Sequence, residues 1–425
     1  MSMLQNFSDK IMGINKIPDL RKKVIFTLIM FLVARVGTHI PSPGVDVARL
    51  TSMVNTNDIL GFINMFSGGA FKRVSIFALG VMPYINASIV VQLLTVIVPQ
   101  LEEMQKEERE RAKIVQWTRY LTIIIGGIQG FGVSIWLQSM GLVYNPGFLF
   151  LFTTVTILTA GTVFLMWLGE QITVNGVGNG ISLIIFLNII ARMPAALIQS
   201  VQKMSGSKFF IIEISFLILI VVAITAAIVA FQLANRKIPI QYAGKGFGGK
   251  NSIASKTYLP LKINTAGVIP IIFASVLLML PAMLVKALPN TDLRVFLERI
   301  FSTTSPVYLT LYAALVIFFT FFYTAIMFDP EKVAENLKKS GGTIPGIRPG
   351  SETVDYLEKV VTRITFGGAI FLALIAIVPM LIFGMFGLPV YISGTGLLII
   401  VGVALDTVQQ INANLVVREY EGFLS

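Results

Sequence analysis

One glycine-rich stretch has the residue types of a phosphate-binding loop. Residues 244–251 read GKGFGGKN, which matches G-x-G-x-x-G and nearly matches the phosphate-binding pattern of nucleotide hydrolases. That pattern needs Ser or Thr as a metal ligand where Asn251 stands, and the flanking residues do not have the strand-to-helix context. We therefore interpret this stretch as part of a flexible basic loop.

No other group of side chains has the spacing of a catalytic or metal site. The chain has no Cys and a single His, His39, so thiolate ligands, Cys nucleophiles and disulfides are excluded. It has no HExxH motif, no Ser–His–Asp set and no catalytic pair of carboxylates. We predict no enzymatic activity, no metal and no cofactor.

Charged residues inside apolar segments are a third candidate, because ion- and proton-coupled carriers need such groups near the middle of the membrane. Four of the five lie near a segment end, where a long side chain can reach the interface. No cluster of carboxylates forms, which weakens the alternative hypothesis of a secondary transporter for a small solute. The five residues are Arg35, Glu170, Arg192, Glu213 and Asp406.

The composition is that of a membrane protein. Of the 425 residues, 55% are apolar and only 13% are charged, and the mean hydropathy is +0.80, whereas a soluble domain of this size needs more surface charge. The net charge of +11 does not indicate specific nucleic-acid binding, since the basic residues fall between apolar runs.

Ten segments are long and apolar enough to predict transmembrane helices, each of which needs about 20 residues. Segments 3 and 4 are divided only by 141-GLVYNPG-147, in which Asn-Pro-Gly is a strong turn signal. The predicted segments are 24–40, 74–98, 120–140, 148–169, 181–200, 209–233, 264–285, 307–328, 364–384 and 392–413.

Lys and Arg in the loops predict the orientation of these segments. The side with both termini holds 23 of them, whereas the opposite side holds 8. The bias places both termini in the cytoplasm, as a polar N-terminus at 1–23 and a tail at 414–425. Between them we predict halves at 24–200 and 201–413, with large cytoplasmic loops at 234–263 and 329–363.

A short motif recurs in segments 2 and 7. Residues 80–85 read GVMPYI and residues 267–272 read GVIPII. If the chain consists of two halves of five segments, the second half starts on the opposite side and the halves are related by inversion. The alternative is a chance match, because Gly and Pro are common in transmembrane helices. Gly- and Pro-interrupted segments at matching positions of inverted halves point to a transport pathway, with Ile85 and Ile272 facing each other across it.

Seven stretches spread over nearly the whole chain closely resemble SecY, the central subunit of the bacterial protein-conducting channel. They keep the order of that family. They are 64-NMFSGGA-70, 75-SIFALGVMPYINASI-89, 166-MWLGEQIT-173, 178-GNGISLIIF-186, 264-NTAGVIP-270, 337-LKKSGGTIPGIRPG-350 and 394-GTGLLI-399.

The resemblance implies an all-α polytopic fold, with ten transmembrane helices in two inverted pseudo-symmetric halves and a short re-entrant plug helix at about 62–73. The implied plug residues are Phe62, Asn64, Phe66, Gly68, Gly69, Phe71 and Arg73. The implied pore ring consists of Val81, Ile85, Ile185, Ile272 and Ile399.

The resemblance also implies a lateral gate with polar positions at Ser88, Gln92 and Asn264, where signal sequences leave for lipid. The loop between the prolines of 344-IPGIRPG-350 presents Arg348, which matches an arginine needed for work with the SecA motor. The predicted contacts for SecA or a ribosome are Arg348, Lys338, Lys339, Arg236, Lys237, Lys245, Lys250 and Lys256.

The predicted function is therefore a channel that passes unfolded secretory polypeptides outward and releases signal sequences and transmembrane segments sideways. The expected partners are SecE, SecG, SecA, the ribosome, secretory precursors with their signal peptides, and membrane lipids. The expected location is the bacterial inner membrane.

Overall fold

The computed structural model describes residues 18–56, 64–204, 210–242, 257–287, 292–302, 305–385 and 394–424. The fold is mainly helical, with one small sheet on the side predicted to be cytoplasmic. The segments 243–256 and 386–393, which include the GKGFGGKN stretch, lie outside the described residues.

The described residues of the N-terminal half include seven helices of eight residues or more and one 3-10 turn. The long apolar runs form the long helices, and α2 and α4 are shorter polar pieces. The helices are α1 (Pro18–Gly37), α2 (Val47–Thr56), α3 (Met82–Ile97), α4 (Pro99–Lys106), α5 (Glu108–Ser139), α6 (Phe148–Asn175) and α7 (Gly180–Met204), and the 3-10 turn is Phe71–Arg73.

In the C-terminal half, the described ranges hold seven helices and three strands. Its elements are α8 (Phe210–Leu233), β1 (Asn235–Tyr242), β2 (Thr257–Lys262), α9 (Ile269–Ala287), α10 (Asp292–Ile300), α11 (Pro306–Met327), α12 (Pro330–Lys339), β3 (Gly342–Thr343), α13 (Ser351–Met385) and α14 (Gly394–Leu424).

Every predicted apolar segment overlaps one long helix. Within the described residues, seven helices are long and apolar enough to cross a bilayer, and an eighth is formed if α3 and α4 count as one bent span. Their outward faces carry exposed large apolar side chains, among them Leu32 at 65%, Ile128 at 67% and Ile211 at 78% exposure. Apolar side chains on the outside fit a protein whose surrounding solvent is lipid.

The start of segment 2 was predicted wrongly. The helix begins at Met82 and not at residue 74, because residues 74–81 form turns and a β-bridge between Ser75 and Pro41. Val74 has a left-handed φ of 41°, a conformation that is strained for a β-branched residue. The apolar composition of 74–81 reflects burial inside the protein.

The bend between α3 and α4 has a local cause. The two helices meet at 109°, and Val98 between them is extended, with φ −102° and ψ 109°. Pro99 follows, and a residue before proline is disfavoured in helical conformation. Proline is itself well suited to the first position of the next helix, so the chain turns here.

The loop predicted to be flexible at 234–263 contains two strands. β1 pairs antiparallel with β2 and with β3, in the order β2-β1-β3. Ile238 and Ile240 are buried while their neighbours in β1 are exposed, which is the alternation expected of a strand. Ile238 packs in a small apolar core with Leu261, Ile344 and Leu357, so the described parts of the loops 234–263 and 329–363 form one folded unit, here called the cytoplasmic unit.

Candidate pore, seal and gate

The two copies of the repeated motif have the same local structure. Gly80 and Gly267 both have left-handed backbones, with φ of 60° and 67°. A side chain at either position would meet only ordinary contacts or open space, so glycine is needed for its backbone freedom. The helices α3 and α9 both begin two residues after this glycine and carry proline in their first turn, where its missing N–H costs no helical bond.

The five residues of the predicted pore ring are all buried apolar side chains. Four helices position them: α3 with its N-cap residue, α7, α9 and α14. Helix α9 contacts α3 and α14, and α14 contacts α7. The exposures are 2% for Val81, 4% for Ile85, 1% for Ile185, 5% for Ile272 and 0% for Ile399, and all five belong to one apolar cluster.

Residues 64–73 lie against this cluster, and they are here called the re-entrant segment. Asn64, Phe66 and Phe71 are at most 2% exposed. Only residues 64–66 are α-helical, since Gly68 and Gly69 have left-handed backbones with φ of 66° and 91° and a 3-10 turn follows. The described part of the predicted plug helix is thus interrupted at its two glycines, and Phe62 lies outside the described residues.

Side chains within the re-entrant segment satisfy its irregular backbone. The Asn64 Oδ1 accepts from the backbone N–H of Lys72 at 3.0 Å, and the Ser67 Oγ accepts from the N–H of Phe71 at 3.1 Å. The N–H of Gly69 donates to the carbonyl of Asn64 at 2.8 Å. A buried segment without regular secondary structure needs such partners.

Two side chains from other helices attach the re-entrant segment to the N-terminal half. Asn188 of α7, three residues after the ring residue Ile185, donates through Nδ2 to the carbonyl of Phe66 at 2.9 Å. Arg35 of α1 donates through Nη1 to the carbonyl of Gly68 at 3.0 Å. Asn188 is only 3% exposed. We call Asn188 and Arg35 the anchors, and neither role could be read from the sequence.

The position of Arg35 near a segment end suggested that its side chain is exposed at the interface. It instead donates to the carbonyl of Gly68 inside the protein. Glu170 has a partner in a partly exposed ion pair, with side-chain exposures of 44% for Arg119 and 23% for Glu170. Its carboxylate accepts from both Nε and Nη2 of Arg119 at 2.9 Å, a bidentate pair that fixes α5 against α6. Arg35 therefore joins α1 to the re-entrant segment, and Glu170 joins α6 to α5.

The polar residues predicted for the lateral gate do not all meet. Gln92 donates through Nε2 to the Ser88 Oγ at 3.1 Å, one turn earlier in α3. Its Oε1 accepts from the hydroxyl of Tyr323 in α11, so this bond joins the two halves. Asn264 instead donates to the carbonyl of Gly267 at 2.9 Å, next to the start of α9. Tyr323 was not foreseen, because one tyrosine in an apolar helix gives no signal.

Five of the eight predicted partner-binding cations lie on the described part of the cytoplasmic unit. Arg236 and Lys237 are exposed on β1, and Lys338 and Lys339 are exposed at the end of α12. The Arg348 side chain is 88% exposed, and the nearest carboxylate oxygen, Glu352 Oε1, is 4.0 Å from its Nη1. Lys245, Lys250 and Lys256 lie outside the described residues.

The geometry describes a buried apolar cluster that includes the five predicted ring residues, a re-entrant segment that lies against it, and a seam between two halves. Across the described ranges, no group of three or more His, Asp or Glu residues has the arrangement of a metal site. A ring of apolar side chains offers no ligand to an ion and excludes water by fit and dewetting.

Comparison with known proteins identifies relatives along almost the whole chain. The SecY family model matches residues 75–408. The chain is 43% identical to the protein translocase subunit SecY of Aquifex aeolicus (strain VF5), covering 98% of this chain and 99% of that protein. It is 42% identical to the subunit of the same name from Escherichia coli (strain K12), covering 96% and 94%.

Solved structures give the same fold at lower identity. A structure described as a protein conducting channel matches with a TM-score of 0.68 at 18% identity, covering 94% of this chain and 96% of that one. Sec61 in a canine ribosome-channel complex from the endoplasmic reticulum matches with a TM-score of 0.63 at 17% identity, covering 94% and 96%.

Proposed function

This chain belongs to the SecY family, and from that premise we propose that the pore ring is the constriction through which a polypeptide passes. The chain is a multi-pass membrane protein and a protein-conducting channel of the protein translocase. The observation that carries the proposal for the ring is that five buried, uncharged side chains from four helices all belong to the large apolar cluster. A small-solute carrier needs charged or polar ligands at such a place.

The re-entrant segment is proposed as the plug that seals the idle channel. Its burial against the ring cluster and its two anchors support that role. The seam between α3 on one side and α9 and α11 on the other is proposed as the lateral gate. It is closed mainly by apolar packing, and the bond between Gln92 and Tyr323 crosses it.

The test of the ring is the ion conductance of the idle channel in planar bilayers. The double variant Ile85→Ser/Ile272→Ser is expected to raise that conductance severalfold, because hydroxyl groups let water into the constriction. The matched control is Ile89→Ser/Val276→Ser, one turn further along the same helices and equally buried at 2%. The control destabilises the protein similarly but should leave the conductance low. Equal conductance in both variants would contradict the assignment.

The cytoplasmic unit is proposed as the docking surface for a SecA-type motor or a ribosome. Five described cations are exposed around it, and the turn holding Arg348 lies between Pro345 and Pro349. A guanidinium has a permanent charge and five donors, which suits carboxylates on a partner. We further propose SecE and SecG as partner subunits, the bacterial inner membrane as the location, and a cytoplasmic position for both termini.

The test of this docking surface is ATP-dependent import of a precursor into proteoliposomes with SecA. Arg348→Glu is expected to abolish import while assembly is retained, and Arg348→Lys to reduce it if bidentate geometry matters. Lys359→Glu is the control, since Lys359 is also an exposed cation of the cytoplasmic unit. Import at the wild-type rate by Arg348→Glu would refute the docking role.

A further inference from the structure

The short helix α10 carries an apolar stripe that the rest of the protein leaves largely exposed. The helix reads DLRVFLERI, and none of its nine residues is buried. Leu293, Phe296, Leu297 and Ile300 fall within one arc of about 100° on its surface. Leu293 and Phe296 are 60% and 61% exposed. A helix of this length cannot cross a bilayer, so the stripe needs a different explanation from the apolar faces of the spans.

The other two sides of α10 differ from the stripe. On one flank the Arg294 Nε lies 3.0 Å from the Glu298 Oε1. Both residues are half-buried, and α10 contacts α9, so this flank lies towards the protein. The remaining flank holds the exposed residues Val295 and Arg299. The stripe lies between the protein-facing flank and the exposed one, as in a helix that rests on an apolar surface beside its own protein.

Both ends of α10 are tied to the ends of two spans. It follows α9 after four residues and precedes α11 by five, and a chain covers at most about 3.6 Å per residue. The second link is shortened by turns, since the N–H of Phe301 donates to the Leu297 carbonyl and that of Ser305 to the Ser302 carbonyl. Because α11 leads into the cytoplasmic unit at its other end, α10 is held near the opposite surface of the membrane.

We infer that α10 lies in the headgroup region of that surface, with Leu293 and Phe296 inserted among the lipid chains. The lipid-facing surface continues next to it, because the first turns of α11 expose Val307 and Leu311. A free helix of this length would bind lipid weakly, but tethering at both ends replaces association from solution by an intramolecular contact. Through its contact with α9, α10 attaches one helix of the seam to the bilayer.

The test is a comparison of single labels along α10. Because the chain has no Cys, the variants Leu293→Cys and Phe296→Cys each give one site for an environment-sensitive fluorophore. The labelled protein is placed with its partner subunits in phosphatidylcholine nanodiscs. Fluorescence is quenched either by lipid that carries a spin label near the headgroup or by aqueous iodide. Compared with labels on the exposed flank, both labels should show at least about twofold stronger quenching by the lipid and twofold weaker quenching by iodide.

The controls are Val295→Cys and Arg299→Cys, on the exposed flank of the same helix. Val295 is the closer match, since it is also apolar and is 52% exposed. The fluorophore has the same affinity for lipid at every position, so a difference between positions 293 and 295 reports the orientation of α10. Equal quenching by the lipid at all four positions would therefore overturn the proposal.

Two further results would also contradict contact with lipid. If iodide reaches all four labels equally, α10 stands in water above the membrane. If the labels at 293 and 296 are shielded from both quenchers, another protein chain, either a partner subunit or a second copy of this one, covers the stripe. No step requires transport, so the outcome is independent of the functions proposed for the ring and the re-entrant segment.

Discussion

Two regions border the pore ring, and they are held in different ways. The re-entrant segment has directional polar contacts, with carbonyls that accept from Asn188 and Arg35 and internal bonds through Asn64 and Ser67. The seam between the halves is mainly apolar. Helices α3 and α9 pack against each other there, and among the described residues the side-chain bond that crosses it joins Tyr323 to Gln92.

The difference indicates which region opens more readily. Apolar side chains that part at the seam meet lipid or a hydrophobic segment, so their separation has a small free-energy cost. Displacing the re-entrant segment breaks bonds to buried carbonyls, and each such group left without a partner costs about 1–3 kcal/mol. We therefore expect the seam to be the compliant region and the seal to be the rigid one.

Both anchors lie in the same half of the protein as the re-entrant segment that they hold. Asn188 and Arg35 both belong to the N-terminal half, as do Ile40 and Ser42, whose backbones bond to Ile76 and Val74. Separation of the halves along the seam leaves all of these bonds intact. Because Asn188 follows Ile185 by one turn of α7, a polypeptide that displaces the ring side chain also disturbs this anchor. We therefore propose that the seal is coupled to occupancy of the ring.

The largest expected effect comes from displacing both anchors at once. In Gly68→Ala the new Cβ would lie 2.5 Å from the Asn188 Oδ1 and 2.9 Å from the Arg35 Nη1, so both anchors must move. The left-handed backbone adds a cost of about 1–2 kcal/mol. We expect a lower melting temperature and a severalfold rise in idle ion conductance in planar bilayers.

The control for this variant is Gly69→Ala. It shares the left-handed backbone, with φ of 91°, but its Cβ would meet only Arg192, at an ordinary 3.4 Å. The difference between the two variants therefore isolates the anchors. If Gly69→Ala leaks as much as Gly68→Ala, the anchors do not hold the seal.

The next effect in size comes from removing one anchor. Asn188→Ala leaves the carbonyl of Phe66 buried without its donor, which costs about 1–3 kcal/mol, so we expect a moderate rise in idle conductance. Asn175→Ala is the control, since Asn175 is exposed and bonds only to Gln171 one turn earlier. A wild-type conductance for Asn188→Ala would remove this residue from the seal.

The sequence predicts the compliant seam better than the rigid seal. Hydropathy locates the long helices because the bilayer requires them, and the repeated Gly-Val-x-Pro-x-Ile predicts the matching starts of α3 and α9. The anchors join residues 122 and 33 positions apart, and an Asn or Arg in an apolar helix does not identify a distant carbonyl as its partner. Residues 74–81 were mistaken for a helix since apolar composition does not distinguish burial in protein from burial in lipid.

The smallest expected effect comes from removing a single side-chain bond that crosses the seam, between Tyr323 and Gln92. Tyr323→Phe removes the hydroxyl that donates to Gln92 and should reduce stability by about 0.5–1.5 kcal/mol. Because that bond crosses the seam, its loss should favour the open gate and increase transport of a precursor with a weakened signal sequence.

Tyr312→Phe is the matched control, since its hydroxyl bonds to Ser275 at 3.1 Å within the C-terminal half. The two variants lose the same chemistry, and only Tyr323→Phe should relax the dependence on the signal sequence. An equal change in both would mean that general loosening of α11, and not the bond across the seam, controls the gate.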